Sequence, residues 1–218
     1  MSQTRSYTMN PEGAKAAGQN NRIDETGPYV GVFTRAEEVT SKAGTEGIEF
    51  SFVDSMGRES SFLSIWTVKK DGSELSGRKM LDALMTCMRL RGIEPSEQVV
   101  EKWVNGAKVN AKATVFAGLM NKRVGLLLAK EPYEAADGSI KSQMVIECAF
   151  DCEGKRTAKN VLDQKPDDGT LDKMIERLRD RPLRKQQQRT QGAAQQRSTA
   201  KTGGGGGGFE DMDDDIPF

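Results

Sequence analysis

Hydrophobic positions in the first third of the chain recur with a period of two. Tyr29 to Val39 is rich in β-branched and aromatic residues, and Glu46 to Asp54 places Ile48, Phe50 and Phe52 on one face. After a turn at Ser55-Met56-Gly57, Arg58 to Thr67 sets Phe62, Ser64 and Trp66 on one side and Leu63 and Ile65 on the other. Short connections between these runs predict three antiparallel strands. The period then changes. Leu81, Leu84, Met85 and Met88 follow helical spacing, which predicts a helix over about Glu74 to Arg91 that Gly92 stops. Its basic last turn, Arg89 and Arg91, suits the helix dipole. Ser96 to Val104 reads as a second, short helix with Ser96 as cap and Val100, Trp103 and Val104 on one side, between Pro95 and Gly106. A polar and basic connection leads to two more strands, Val124 to Lys130 and Lys141 to Phe150, separated by a turn at Gly138.

Outside this body the pattern fades. Residues 1–28 hold Gly13, Gly18 and Gly27 with little periodicity, which predicts an irregular N-terminal arm. Leu171, Met174, Ile175 and Leu178 define a further amphipathic helix, capped by Thr170 and ended by Pro182, placed to pack on the body or on a second subunit. From Arg184 the composition collapses to Gln, Arg, Ala, Thr and Lys, and then to Gly203 to Gly208. The division expected is therefore an arm over 1–28, a domain with accessory helices over 29–181, a disordered linker over 182–209, basic and then Gly-rich, and an acidic tip over 210–218. As a flexible coil the linker would reach on the order of 30 Å. On pattern alone the body is a compact β-rich domain with a helical insertion, and a small α+β sandwich fits nearly as well.

The formal net charge is zero, but it is blocked rather than balanced. Residues 1–180 carry 26 basic against 27 acidic side chains, residues 181–201 carry six basic and no acidic ones, and residues 202–218 carry five acids and no base. Of the whole chain, 36% is hydrophobic and 29% charged, and no apolar run of membrane-spanning length or signal-peptide core occurs, so a cytoplasmic protein is expected.

Three cysteines, Cys87, Cys148 and Cys152, cannot pair completely, and with no histidine the chain offers little for a zinc site. Reduced thiols and no cofactor or metal are expected. No phosphate-cradling Gly-Lys-Ser/Thr loop, no His-based pair and no Cys-x-x-Cys pair is present, so an enzyme is not expected.

The tip carries the strongest signal. Glu210 to Phe218 packs five carboxylates into nine positions and ends in Ile216-Pro217-Phe218. A partner could seat the Phe218 ring and Ile216 in an apolar pocket, clamp the terminal carboxylate with Arg or Lys, and let Asp213, Asp214 and Asp215 lie along a basic rim. Asp213-Asp214-Asp215-Ile216-Pro217-Phe218 resembles the acidic tip that ends bacterial single-stranded DNA-binding proteins. The likeness is residue by residue for the tip alone, and the body reads as a divergent, phage-type version. The resemblance implies an OB-fold-like five-stranded barrel with a helix between strands three and four, and a tip that recruits DNA replication, recombination and repair enzymes. The implied function is non-catalytic, largely sequence-independent binding of single-stranded DNA. The alternative is a replication or recombination adaptor or loader whose body binds protein. A homo-oligomer is compatible with either.

Single strands need a basic path for phosphates and flat rings for bases. The candidates for the path are Arg35, Lys42, Arg58, Lys69, Lys70, Lys108, Lys112, Lys122 and Arg123, and those for stacking are Phe33, Trp66 and Tyr133. The basic linker either adds phosphate contacts or attracts the acidic tip, so that DNA competes the tip away.

Overall fold

The computed structural model describes residues 8–9, 11, 21–104, 107–135 and 137–184. The acidic tip, the linker from residue 185 onward and most of the N-terminal arm lie outside the described residues.

The fold is β-rich. Strands β1 (Gly27–Thr40), β2 (Glu46–Asp54) and β3 (Glu59–Val68) form an antiparallel meander, as the period-two pattern predicts. Helix α1 (Ser76–Cys87) follows and turns Leu81, Leu84 and Cys87 inward. A hairpin of β4 (Ser96–Val104) and β5 (Ala107–Val115) comes next, then a single 3-10 turn at Ala117–Leu119. The long strands β6 (Arg123–Glu134) and β7 (Ile140–Asp151) are followed by the two-residue β8 (Arg156–Thr157) and the short helices α2 (Ala158–Leu162) and α3 (Thr170–Arg177). The ladder order is β3-β2-β1-β6-β7-β8, with β5 joined to β1 at Glu37 opposite Val115. Strands β3 and β7 pack against each other without a ladder between them. No helix among the described residues is long and apolar enough to cross a membrane.

The main core fills the space between the curled sheet and α1. Ile48, Phe50, Phe52, Leu63, Ile65, Leu126 and Leu128 meet Leu81, Leu84 and Met88 there. A satellite core on the other side of β6 and β7 joins Leu127 and Phe150 to Leu171, with Met174, Ile175 and Leu178 of α3 against them. The α3 apolar stripe therefore packs on the body of its own chain.

Five expectations need correction. Helix α1 ends at Cys87, so Arg89, in a left-handed conformation with φ of 57°, and Arg91 lie beyond its last turn and do not meet its dipole there. Ser96 to Val104 is a strand, not a helix. The spacing of Val100, Trp103 and Val104 fits a helix, but the run pairs over its whole length with Ala107 to Val115, which was expected to be a connection. Val104 stands opposite Ala107, so only Asn105-Gly106 separates the strands, and that dipeptide favours two-residue hairpins. The sheet consequently holds eight strands instead of five. At α3, Thr170 is the first helical residue and not the cap: Gly169, with φ of 73°, occupies the cap position, and the Thr170 amide donates to the Asp168 carboxylate. Lastly, the body does not stop at 181. The Arg184 amide donates to the Pro132 carbonyl, and the Glu134 amide donates to the Arg184 carbonyl, so the chain is held to β6 through residue 184.

Candidate nucleic-acid interface

The outer face of β3 presents aromatic rings. Leu63 and Ile65 enter the core, which leaves Ser64 and Trp66 on the opposite side. Phe62 is 53% exposed and adopts φ of 63°, a left-handed conformation unusual for a bulky residue. It sits where the β2–β3 register shifts between Phe50 and Phe52, on the same outward face as Ser64 and Trp66. Trp66 stands opposite Gly47, whose missing side chain makes room for the indole: a Cβ there would lie 3.0 Å from the ring. Four residues of strand put Phe62 and Trp66 roughly 13 Å apart.

Cations gather at the Trp66 end of this face. Lys42 lies in the turn between β1 and β2, and Lys69 and Lys70 lie just beyond β3; all three are exposed. The side chain of Lys70 runs against Gly44 of the β1–β2 turn, which brings the two loops together. None of the three makes an ion pair among the described residues. Of the predicted site residues, Trp66, Lys42, Lys69 and Lys70 are thus brought together. Phe62 belongs with them and was missed as a platform; its place on the Trp66 face was the available signal.

Two predicted residues are withdrawn from the interface. Phe33 is 0% exposed, tilted against Phe50 with centroids 4.4 Å apart and edge-on to Phe52, so it offers no face to a base. Arg35 is buried in a charge network: its guanidinium pairs with Glu37 and Glu49 and donates to the Ser51 hydroxyl, while Lys102 of β4 reaches Glu37 at 2.7 Å. A β1 bulge between Phe33 and Arg35 explains both placements, since it sends Phe33 and Ala36 into the core and Arg35 and Glu37 beneath the hairpin.

The remaining candidates are dispersed. Arg58 donates to Asp54, a hydrogen bond that raises its pKa further, and lies 5.2 Å from the centre of the Tyr29 ring. Lys108 pairs with Glu101 at 3.0 Å, and this hydrogen bond holds its pKa above the ordinary lysine value. Lys112 is exposed on β5, and Lys122 and Arg123 are exposed where β6 begins. Tyr133 sits near the end of β6 with the Arg184 guanidinium 5.8 Å from its ring centre.

Between the hairpin and the outer face of β1–β3 runs a groove of about 340 Å³, lined by Thr34, Ser51, Ser61, Gln98, Val99 and Lys102 among others, with Glu59, Glu101 and Lys108. Among the ionisable residues lining it, two cations face two carboxylates, so the groove is close to neutral. Compared with known proteins, the chain matches no protein-family model and no curated protein sequence.

Proposed function

We propose that this protein binds single-stranded DNA without catalysing a reaction on it, through an OB-like body, and recruits replication, recombination or repair proteins through the segment Asp213 to Phe218. The observation that carries the DNA-binding part is the exposed β3 face, where Phe62 and Trp66 lead toward the exposed cluster Lys42, Lys69 and Lys70. Rings able to stack on bases beside cations able to meet phosphates are what a single strand requires and a duplex, with its bases already stacked, does not. Strand order supports the barrel reading. With the β4–β5 hairpin and β8 set aside, the long strands run β3-β2-β1-β6-β7 with α1 after the third, the adjacency of an OB Greek key, and β3 beside β7 is the contact that would close it. The β2–β3 face is the side on which such barrels hold single strands. The likeness of the terminal hexapeptide supports the recruiting role.

The test is fluorescence anisotropy with the full chain, a labelled mixed-sequence single strand and its duplex, titrated at several salt concentrations. Preferential single-strand binding that weakens as salt rises is the expected result. Absence of binding to either at low salt would refute it and favour the adaptor whose body binds protein.

A further inference from the structure

We infer that the groove beneath the β4–β5 hairpin receives one unpaired nucleobase, edge first, and favours bases that carry an exocyclic amine. This inference rests on the single-strand reading above and adds a base preference to it. The groove, about 340 Å³, falls in the range of small-ligand sites and is far larger than the roughly 30 Å³ share of one water. Its polar lining is built of short hydroxyls, an amide and carboxylates: Thr34, Ser51, Ser61, Gln98, Glu59 and Glu101. These are groups that meet base edges.

Phosphate is a poor occupant. The two lysines of the groove are already engaged, Lys102 with Glu37 and Lys108 with Glu101, and Glu59 lies 3.9 Å from Lys108. An entering phosphate would meet two carboxylates and no uncommitted cation, whereas a neutral base adds no charge. Carboxylates accept from the two-hydrogen amines of cytosine and adenine, whereas thymine and uracil place a repelling carbonyl at that position and keep a single ring N3–H as donor. Position also fits, because Ser61 of the groove directly precedes Phe62, so a strand stacked on the β3 face has its next base within reach of the groove.

The experiment uses full-length protein and labelled oligo-dC and oligo-dU of equal length, whose bases differ at the fourth ring position, amine against carbonyl, and at the adjacent N3, acceptor against N–H donor. The wild type is expected to bind oligo-dC on the order of tenfold more tightly, within the range of one good base-edge contact. Replacing both carboxylates, with Glu59→Gln and Glu101→Gln, removes two negative charges and is expected to raise affinity for either strand. The ratio between them is therefore the readout, and it should fall to within about twofold. Equal wild-type affinities, or a ratio unchanged in the double variant, would overturn the base-reading groove while leaving single-strand binding intact. No binding of either oligonucleotide would overturn the single-strand reading as well.

Discussion

The backbone of Gly77 in the first turn of α1 lies against the carbonyl of Trp66, so close that a Cβ at position 77 would stand 2.1 Å from that oxygen. The helix is thereby seated on β3 directly behind the aromatic face. Because neither backbone can yield cheaply, Gly77→Ala is expected to cost about 1–3 kcal/mol, read as a loss of several degrees in thermal melting. Gly92→Ala, with no atom within 4 Å of the added Cβ, is the control and should leave Tm nearly unchanged.

Arg35 binds the hairpin to the sheet indirectly, through Glu37. Arg35→Ala would leave Glu49 without its ion-pair partner among the described residues and Glu37 with Lys102 alone, in a site where the Arg35 side chain is only 5% exposed. Breaking such a buried network typically costs about 3–5 kcal/mol, so denaturant unfolding should show a large loss of stability. The salt dependence of the proposed single-strand binding, read on the fraction that stays folded, should not change, because this guanidinium is buried in its ion pairs.

Burial among apolar neighbours pushes the Cys87 thiol up to about 12, with the nearby Cys148, Asp151 and Cys152 adding to the effect. The folded state therefore holds its proton at a pH where the unfolded chain, with an ordinary thiol, has lost it. Stability from this group is fully present below about pH 9 and declines as pH rises from 9 toward 12. At pH 8, a thiol reagent should leave Cys87 unmodified until denaturant is added, as mass spectrometry of the labelled chain would show.

The strands and α1 were legible in the sequence because one-sided burial imposes a period. Ile48, Phe50 and Phe52 alternate into the core, and Leu81, Leu84 and Met88 recur on one helix face. The β4–β5 hairpin was not. In β4 the positions facing the sheet include Lys102, held by Glu37 some 65 residues away in sequence, so no apolar alternation marks that strand, and the alternation of β5 at Ala107, Val109, Ala111, Ala113 and Val115 rests largely on small alanines that mark a strand weakly. Ser96 to Val104 holds four apolar residues, Val99, Val100, Trp103 and Val104, in two adjacent pairs that suit a helix better than an alternating strand, and the Asn105-Gly106 dipeptide was the better guide. Phe33 and Arg35 were misjudged for a related reason: a bulge resets the alternation within β1, and bulges leave no fixed signature in a run of β-branched and aromatic residues. Of the candidate interface, Trp66 and the three loop lysines were proposed from residue type and predicted loops, whereas Phe62, which the same period of two sets on the Trp66 face, was passed over as a stacking candidate.

The exposed β3 face is tested most directly by Phe62→Gly. Position 62 has φ of 63°, which glycine adopts without the roughly 1–2 kcal/mol strain that an L side chain carries there. The variant should therefore melt at the wild-type temperature or slightly above it. With the ring gone, anisotropy with a mixed-sequence single strand should show affinity weakened by about 1–3 kcal/mol, or roughly five- to 150-fold in Kd. A variant that keeps its melting temperature and binds as tightly as the wild type would contradict the assignment of this face to DNA.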